Sequence, residues 1–212
     1  MQLFRTGSSG THDDIQQLLS AVVPCVTREM NDSLTREFTS DEIKTAVESI
    51  EDLKAPGPNG LLAIFFKKFW DVIGGILSIE ALNVLRGGHM PAGWNDTIIS
   101  LIPKINKPEK VTDLRPISLC NVVYKVVAKV LANRLKTILP DIIIPNQSAF
   151  VLGRLISGNI LIAYELTEYL LKKTKGGTGY AAIKLDISKA YDRMEWEFLR
   201  KVMIRIPMCP TR

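Results

Sequence analysis

Apolar positions recur with two different periods along this chain, and turn-forming residues punctuate them. Residues 1–37 are polar and mixed, with a short helical pattern at 14–23, and read as a linker or peripheral segment. Thr39-Ser40-Asp41-Glu42 has the form of a capping box. Ile43, Ala46, Val47 and Ile50 then follow at helical spacing and predict a one-faced helix. That helix stops at Lys54-Ala55-Pro56-Gly57-Pro58-Asn59-Gly60, a rigid, multiply turned loop. Residues 61–73, with Phe65, Phe66, Phe69 and Trp70, predict a second helix that Gly74-Gly75 interrupts before a further helical stretch to Leu85. The β-branched run 97–102 and the run 114–119 flank a polar, basic loop and predict a hairpin. The strongest helical pattern is 121–139, where Val122, Val123, Val126, Val127, Val130, Leu131, Leu135, Ile138 and Leu139 make one apolar face. Lys125, Lys129 and Lys136 group on the other face. A helix at 158–173, a glycine-rich turn, a short apolar strand at 180–185 and a helix from about Ser188 complete the pattern. Helices with few strands predict a mixed α/β or α+β class.

Composition narrows the choice. The 212 residues are 46% hydrophobic and 23% charged, enough for one or two domains with a packed core and unlike a disordered chain. The chain's size and its only three cysteines exclude a disulfide scaffold, and Cys25, Cys120 and Cys209 share no metal or redox spacing, which suits a reducing compartment. No apolar run reaches the ~18 residues of a membrane span, and the first ten residues lack a secretory apolar core. An intracellular location, nuclear or cytoplasmic, with no membrane partner, is the expectation. The net charge of +5 is concentrated. Residues 101–140 hold eight basic residues (Lys104, Lys107, Lys110, Arg115, Lys125, Lys129, Arg134, Lys136) against Glu109 and Asp113, a balance of +6. The rest of the chain has 19 basic and 20 acidic residues, a balance of −1. Such a segment is either a polyanion-binding surface or a solvated helix face with a basic loop.

Asp186 is the position richest in possible chemistry. It follows the apolar run Ala181-Ala182-Ile183-Lys184-Leu185 and precedes Ile187-Ser188-Lys189-Ala190-Tyr191-Asp192. A carboxylate at the end of a buried strand is costly without a compensating charge or metal. The residues themselves leave two readings, a helix N-cap or a metal ligand.

Several blocks, in order, resemble the reverse-transcriptase domain of non-LTR (LINE-type) retrotransposons, most closely the plant elements. They are Phe38–Ile43, the Lys54–Gly60 loop, Leu101-Ile102-Pro103-Lys104, and Asp113-Leu114-Arg115-Pro116-Ile117-Ser118-Leu119-Cys120-Asn121-Val122 running into Tyr124-Lys125 and Leu131-Ala132-Asn133-Arg134-Leu135. Gln147-Ser148-Ala149-Phe150-Val151 with Gly153-Arg154 follows, then Lys184-Leu185-Asp186-Ile187-Ser188-Lys189-Ala190-Tyr191-Asp192 with Glu195-Trp196. The resemblance runs from about residue 10 to residue 200.

It implies the fingers and the first part of the palm of a right-hand polymerase: 1–37 peripheral, 38–175 fingers, 176–212 the start of the palm. It implies RNA-directed DNA synthesis on an RNA template and DNA primer. Asp186 and the Ile187 carbonyl would hold catalytic Mg²⁺, an ion that favours oxygen ligands. Lys104 and Arg115 would grip the incoming dNTP, and Tyr191 would gate against a ribose 2′-hydroxyl. Lys125, Lys129 and Arg154 are candidate nucleic-acid contacts, with Lys125, Lys129 and Lys136 equally readable as solubilising their helix. The 54–60 loop and residues 147–154 would border the template path, with Arg154 exposed. The pattern departs from the family at Pro58-Asn59-Gly60, where P-D-G is usual, and at Arg205-Ile206-Pro207. The family's downstream Asp-Asp pair is not found here; the one such pair is Asp13-Asp14, in a polar helix start. The chain by itself is therefore expected to be an inactive fragment lacking the later palm and the thumb. The alternatives are a stand-alone nucleic-acid-binding module, an intron-maturase-like splicing factor, whose fold is shared but whose motif wording differs, and a non-functional retrotransposon remnant.

Overall fold

The structure, a computed structural model, describes residues 12–174, 176, 177, 179–185 and 194–206. The element order is α1 (His12–Ser20), α2 (Arg28–Thr35), α3 (Ser40–Glu48), α4 (Ala63–Lys68), α5 (Trp70–Leu85), β1 (Thr97–Pro103), β2 (Leu114–Cys120), α6 (Val122–Ile142), α7 (Ile156–Lys172) and α8 (Trp196–Arg205). This is the helix-rich α+β composition expected, with one two-stranded sheet among the described residues. The chain divides into two compact units, residues 36–135 and residues 1–35 with 136–211.

In the 36–135 unit the predicted capping box is present. The Thr39 hydroxyl accepts from the Glu42 amide at 3.4 Å, and the Glu42 carboxylate accepts from the Thr39 amide at 3.0 Å. Two donors that the first helical turn leaves open are thereby satisfied. Ile43, Ala46 and Val47 of α3 are buried with Ala63 and Phe66 of α4, Leu77 and Ala81 of α5, and Val122, Val126, Val127 and Val130 of α6. The valines lie on one face because offsets of three and four return a helix to nearly the same angle. Leu131 and Leu135, expected to extend that face, are instead exposed.

Gly74-Gly75 does not interrupt a helix; the break falls at Phe69, between α4 and α5, and α5 runs through both glycines. The reason is packing. A Cβ at Gly74 would stand 2.6 Å from the Trp70 ring one turn earlier, so this glycine lets the indole lie flat along its own helix.

The predicted hairpin forms. β1 and β2 pair antiparallel from Thr97 opposite Cys120 to Pro103 opposite Leu114. Ile98, Ile99, Leu101, Ile102 and Ile117 all remain exposed, so neither face of this ribbon is covered by the described residues.

In the other unit, Val26 and Ile138 are buried with Met30, Leu34, Ile142, Met203 and Ile206 around them. The Val26 amide donates to the Ile206 carbonyl at 3.2 Å. Sequence reading missed α2. The strand expected at 180–185 is not one: these residues have no regular structure, and Ile183 and Leu185 are exposed. A strand exists only through a neighbour that shares its hydrogen bonds, and no described residue pairs with this run. The helix expected from Ser188 begins outside the described residues, and α8 is the described helix nearest to it.

Candidate nucleic-acid interface

The basic hairpin is the most exposed element of the 36–135 unit. Every residue from Leu101 to Thr112 is exposed, as is Arg115. In the antiparallel register Ile102 lies opposite Arg115, and the Lys104 amide continues the ladder by donating to the Asp113 carbonyl at 2.8 Å. Side chains alternate along a strand and match across it. Lys104 and Arg115 therefore belong to the same face, two positions apart along the ribbon. The Lys104 ammonium donates one hydrogen bond to the Thr112 carbonyl at 2.9 Å, and its other two donors remain available. Arg115, Lys107, Lys129 and Lys136 make no side-chain hydrogen bond or ion pair among the described residues.

Asp113, one of the segment's two acids, forms no ion pair with these cations among the described residues. Its carboxylate accepts from the amides of Glu109 and Lys110 at 3.1 and 3.0 Å and so folds the tip of the hairpin. The positive charge is left facing outward.

At the root of the hairpin the structure joins two blocks that lie some sixty residues apart in sequence. Asn121, buried between β2 and α6, accepts through its side-chain oxygen from the Asn59 amide at 3.1 Å. Its amide nitrogen donates to the Gly93 carbonyl at 2.7 Å. Gly57 lies so close that a Cβ there would overlap the Asn121 backbone nitrogen. Gly60 closes a turn onto the Gly57 carbonyl at 3.0 Å with φ of +71°, a left-handed conformation that suits glycine. The Asn59 side chain accepts from the Leu61 amide at 3.1 Å, so Asn serves this turn as an Asp carboxylate would. Lys125 donates to the Ala55 carbonyl at 2.8 Å. Burial lowers its pKa, the neighbouring Cys120 thiol opposes that, and Lys54 adds to it.

Arg134 stands apart from the other seven cations. It occupies the buried stripe Val122–Val126–Val130–Arg134, spaced by four. Its guanidinium binds both Glu42 oxygens at 2.8 Å, donates to the Arg36 and Glu37 carbonyls, and lies 3.6 Å above the Phe38 ring. The Arg134 hydrogen bond is the main reason the Glu42 carboxyl is lowered to about 2; partial burial opposes this and the Thr39 amide reinforces it. Sequence reading counted Arg134 as surface charge; its place in the period-four valine stripe was the signal for its burial.

In the other unit Arg154 is half-buried, not exposed as expected. It donates to the carbonyls of Pro140, Ile143, Ile144 and Gln147 at 2.6–3.0 Å. It thus satisfies acceptors that the end of α6 leaves open, where a cation is also favoured by the helix dipole. Nearby Phe150 is held at φ of +65° with its ring exposed, a strained conformation for a bulky residue.

Asp186, Ile187 and Tyr191 lie outside the described residues. Among the described residues no group of three or more His, Cys, Asp or Glu is placed to hold a metal ion. No described helix is long and apolar enough to cross a membrane.

These motif blocks belong to a family of nucleotide polymerases. Residues 102–211 match the family described as reverse transcriptase (RNA-dependent DNA polymerase), and the chain belongs to the reverse transcriptases of non-LTR retrotransposons. It is 32% identical over 84% of its length to the transposon TX1 uncharacterized 149 kDa protein of Xenopus laevis. It is 26% identical over 81% to the retrovirus-related Pol polyprotein from type-1 retrotransposable element R2 of Popillia japonica. It is 27% identical over 73% to the probable RNA-directed DNA polymerase from transposon BS of Drosophila melanogaster. The chain spans only 13%, 22% and 17% of these three relatives.

Proposed function

We propose that the chain supplies the fingers (38–175) and the opening of the palm (176–212) of an RNA-directed DNA polymerase, behind a peripheral 1–37 segment. Its hairpin grips the triphosphate of the incoming dNTP and the nucleic-acid backbone. One observation carries this reading: Lys104 and Arg115 are both exposed on one face of the ribbon, while the nearby Asp113 carboxylate is turned onto backbone amides. Arg offers phosphate a planar fork and Lys a mobile point charge. In this reading Lys129 adds a backbone contact from α6, and Tyr191 bounds the sugar pocket. Arg154 is already bonded to four carbonyls. A phosphate contact by Arg154 would compete with that cap, so the hairpin bears most of the affinity.

Asp186 and the Ile187 carbonyl are oxygen donors of the kind that suits Mg²⁺. Bound there, the ion would activate the primer 3′-hydroxyl and stabilise the departing pyrophosphate. Asp186→Ala is therefore expected to abolish templated dNTP incorporation by a polymerase that contains this chain, and undiminished incorporation by that variant would contradict the assignment.

The binding claim is tested by titrating a labelled RNA–DNA hybrid at low salt. The wild-type chain should bind, and affinity should fall as salt rises. Lys104→Ala with Arg115→Ala should weaken binding and reduce the salt slope by about 1–2, at roughly one unit per lost phosphate contact. An unaltered affinity in the double variant would remove the hairpin from the interface.

A further inference from the structure

Lys125 looks like a phosphate ligand in the sequence, but its geometry points elsewhere. Its ammonium donates to the Ala55 carbonyl on the 54–60 loop, and Lys125 is half-buried where Lys104 is exposed. The same loop is held by Asn121 through the Asn59 amide and is seated on Gly57 against the Cys120–Asn121 backbone. Asn121 also ties Gly93, on the segment that leads into β1. One buried amide thus bonds the segment entering the hairpin and the 54–60 loop, and it directly follows the last residue of β2. The ribbon itself is exposed on both faces, and its strands pack chiefly on each other. Its direction is therefore set at this root.

We propose that Asn121 and Lys125 are positioning residues. They clamp the 54–60 loop onto the root of the hairpin and so fix where Lys104 and Arg115 are presented. Lys125 itself touches no phosphate. The proposal rests on the nucleic-acid reading above and deepens it. Loss of one such hydrogen bond is expected to change affinity by at most about tenfold.

The experiment compares wild type, Lys125→Met and Asn121→Ala, with folding confirmed by thermal melting. It measures affinity for an RNA–DNA hybrid across a salt series, and hydrogen exchange at the Asn59 amide without nucleic acid. Lys125→Met keeps the alkyl stem, so it remains a usable variant where loss of the buried Asn121 amide prevents folding. The expected result is faster Asn59 exchange and an affinity lowered by about 3- to 10-fold at every salt concentration, with the salt slope unchanged. A slope reduced by about one in Lys125→Met identifies a direct phosphate contact and overturns the proposal. Unchanged affinity, or unchanged Asn59 exchange, overturns it as well. A wild-type chain that binds no hybrid at low salt instead sinks the nucleic-acid reading itself, an outcome visible before any variant is made.

Discussion

Arg134 shows how far a formal charge can be from a surface charge. It contributes to the +6 segment, yet it is buried against Glu42 and Phe38. Removing one partner of a buried pair leaves the other uncompensated, at a cost of about 3–5 kcal/mol. Arg134→Ala is therefore expected to lower the free energy of unfolding by that order, from urea unfolding read by tryptophan fluorescence; a loss below about 1 kcal/mol would mean the pair is solvated. The acid limb carries a second signature. The Glu42 carboxyl has a folded pKa of about 2 against an ordinary 4.5. Its contribution is complete above pH 4.5 and is lost as pH falls toward 2, because protonation abolishes the charge that Arg134 binds. Glu42→Gln should flatten the stability–pH curve across that window, and an unchanged acid limb would contradict the assignment. The capping half of Glu42's role was legible from Thr39-Ser40-Asp41-Glu42, since it is local. The Arg134 half joins residues 92 apart, and only the valine period hinted at it.

At the scale of elements, strong local periods survived and weak ones did not. The hairpin was legible because β-branched alternation and a polar tip are both local. The 180–185 run had the same apolar look, but strand identity depends on a partner, and local sequence does not supply one. Gly74-Gly75 misled for a different reason: the tertiary environment overrides helix propensity. The two glycines make a contrasting test. Gly75 faces open space, so Gly75→Ala should stabilise α5 by about 0.5–1 kcal/mol. Gly74→Ala meets the Trp70 ring and should destabilise by about 1–3 kcal/mol. Equal effects at both positions, measured by chemical denaturation, would mean that Trp70 does not pack as described. Gly57→Ala should likewise cost about 1–3 kcal/mol, since the intruding methyl meets backbone that cannot rotate away. Little or no loss would show that the loop can lift from Asn121.

For the molecule as a whole, the +6 count overstates the outward charge. Arg134 is buried and Lys125 half-buried, whereas Lys104, Lys107, Lys110 and Arg115 of the hairpin are exposed. The ordered motif blocks made the family legible in the sequence. The joining of the 54–60 loop to Asn121 was not, because nothing local connects residues 62 apart. The central claim is that nucleic acid is held by the hairpin and its root. Hydrogen exchange of the whole chain, with and without an RNA–DNA hybrid at low salt, tests it most directly. The expected result is slower exchange across residues 97–120 and in the 54–60 loop, reversed by raising the salt. Protection confined to other segments, with residues 97–120 unchanged, would contradict the account.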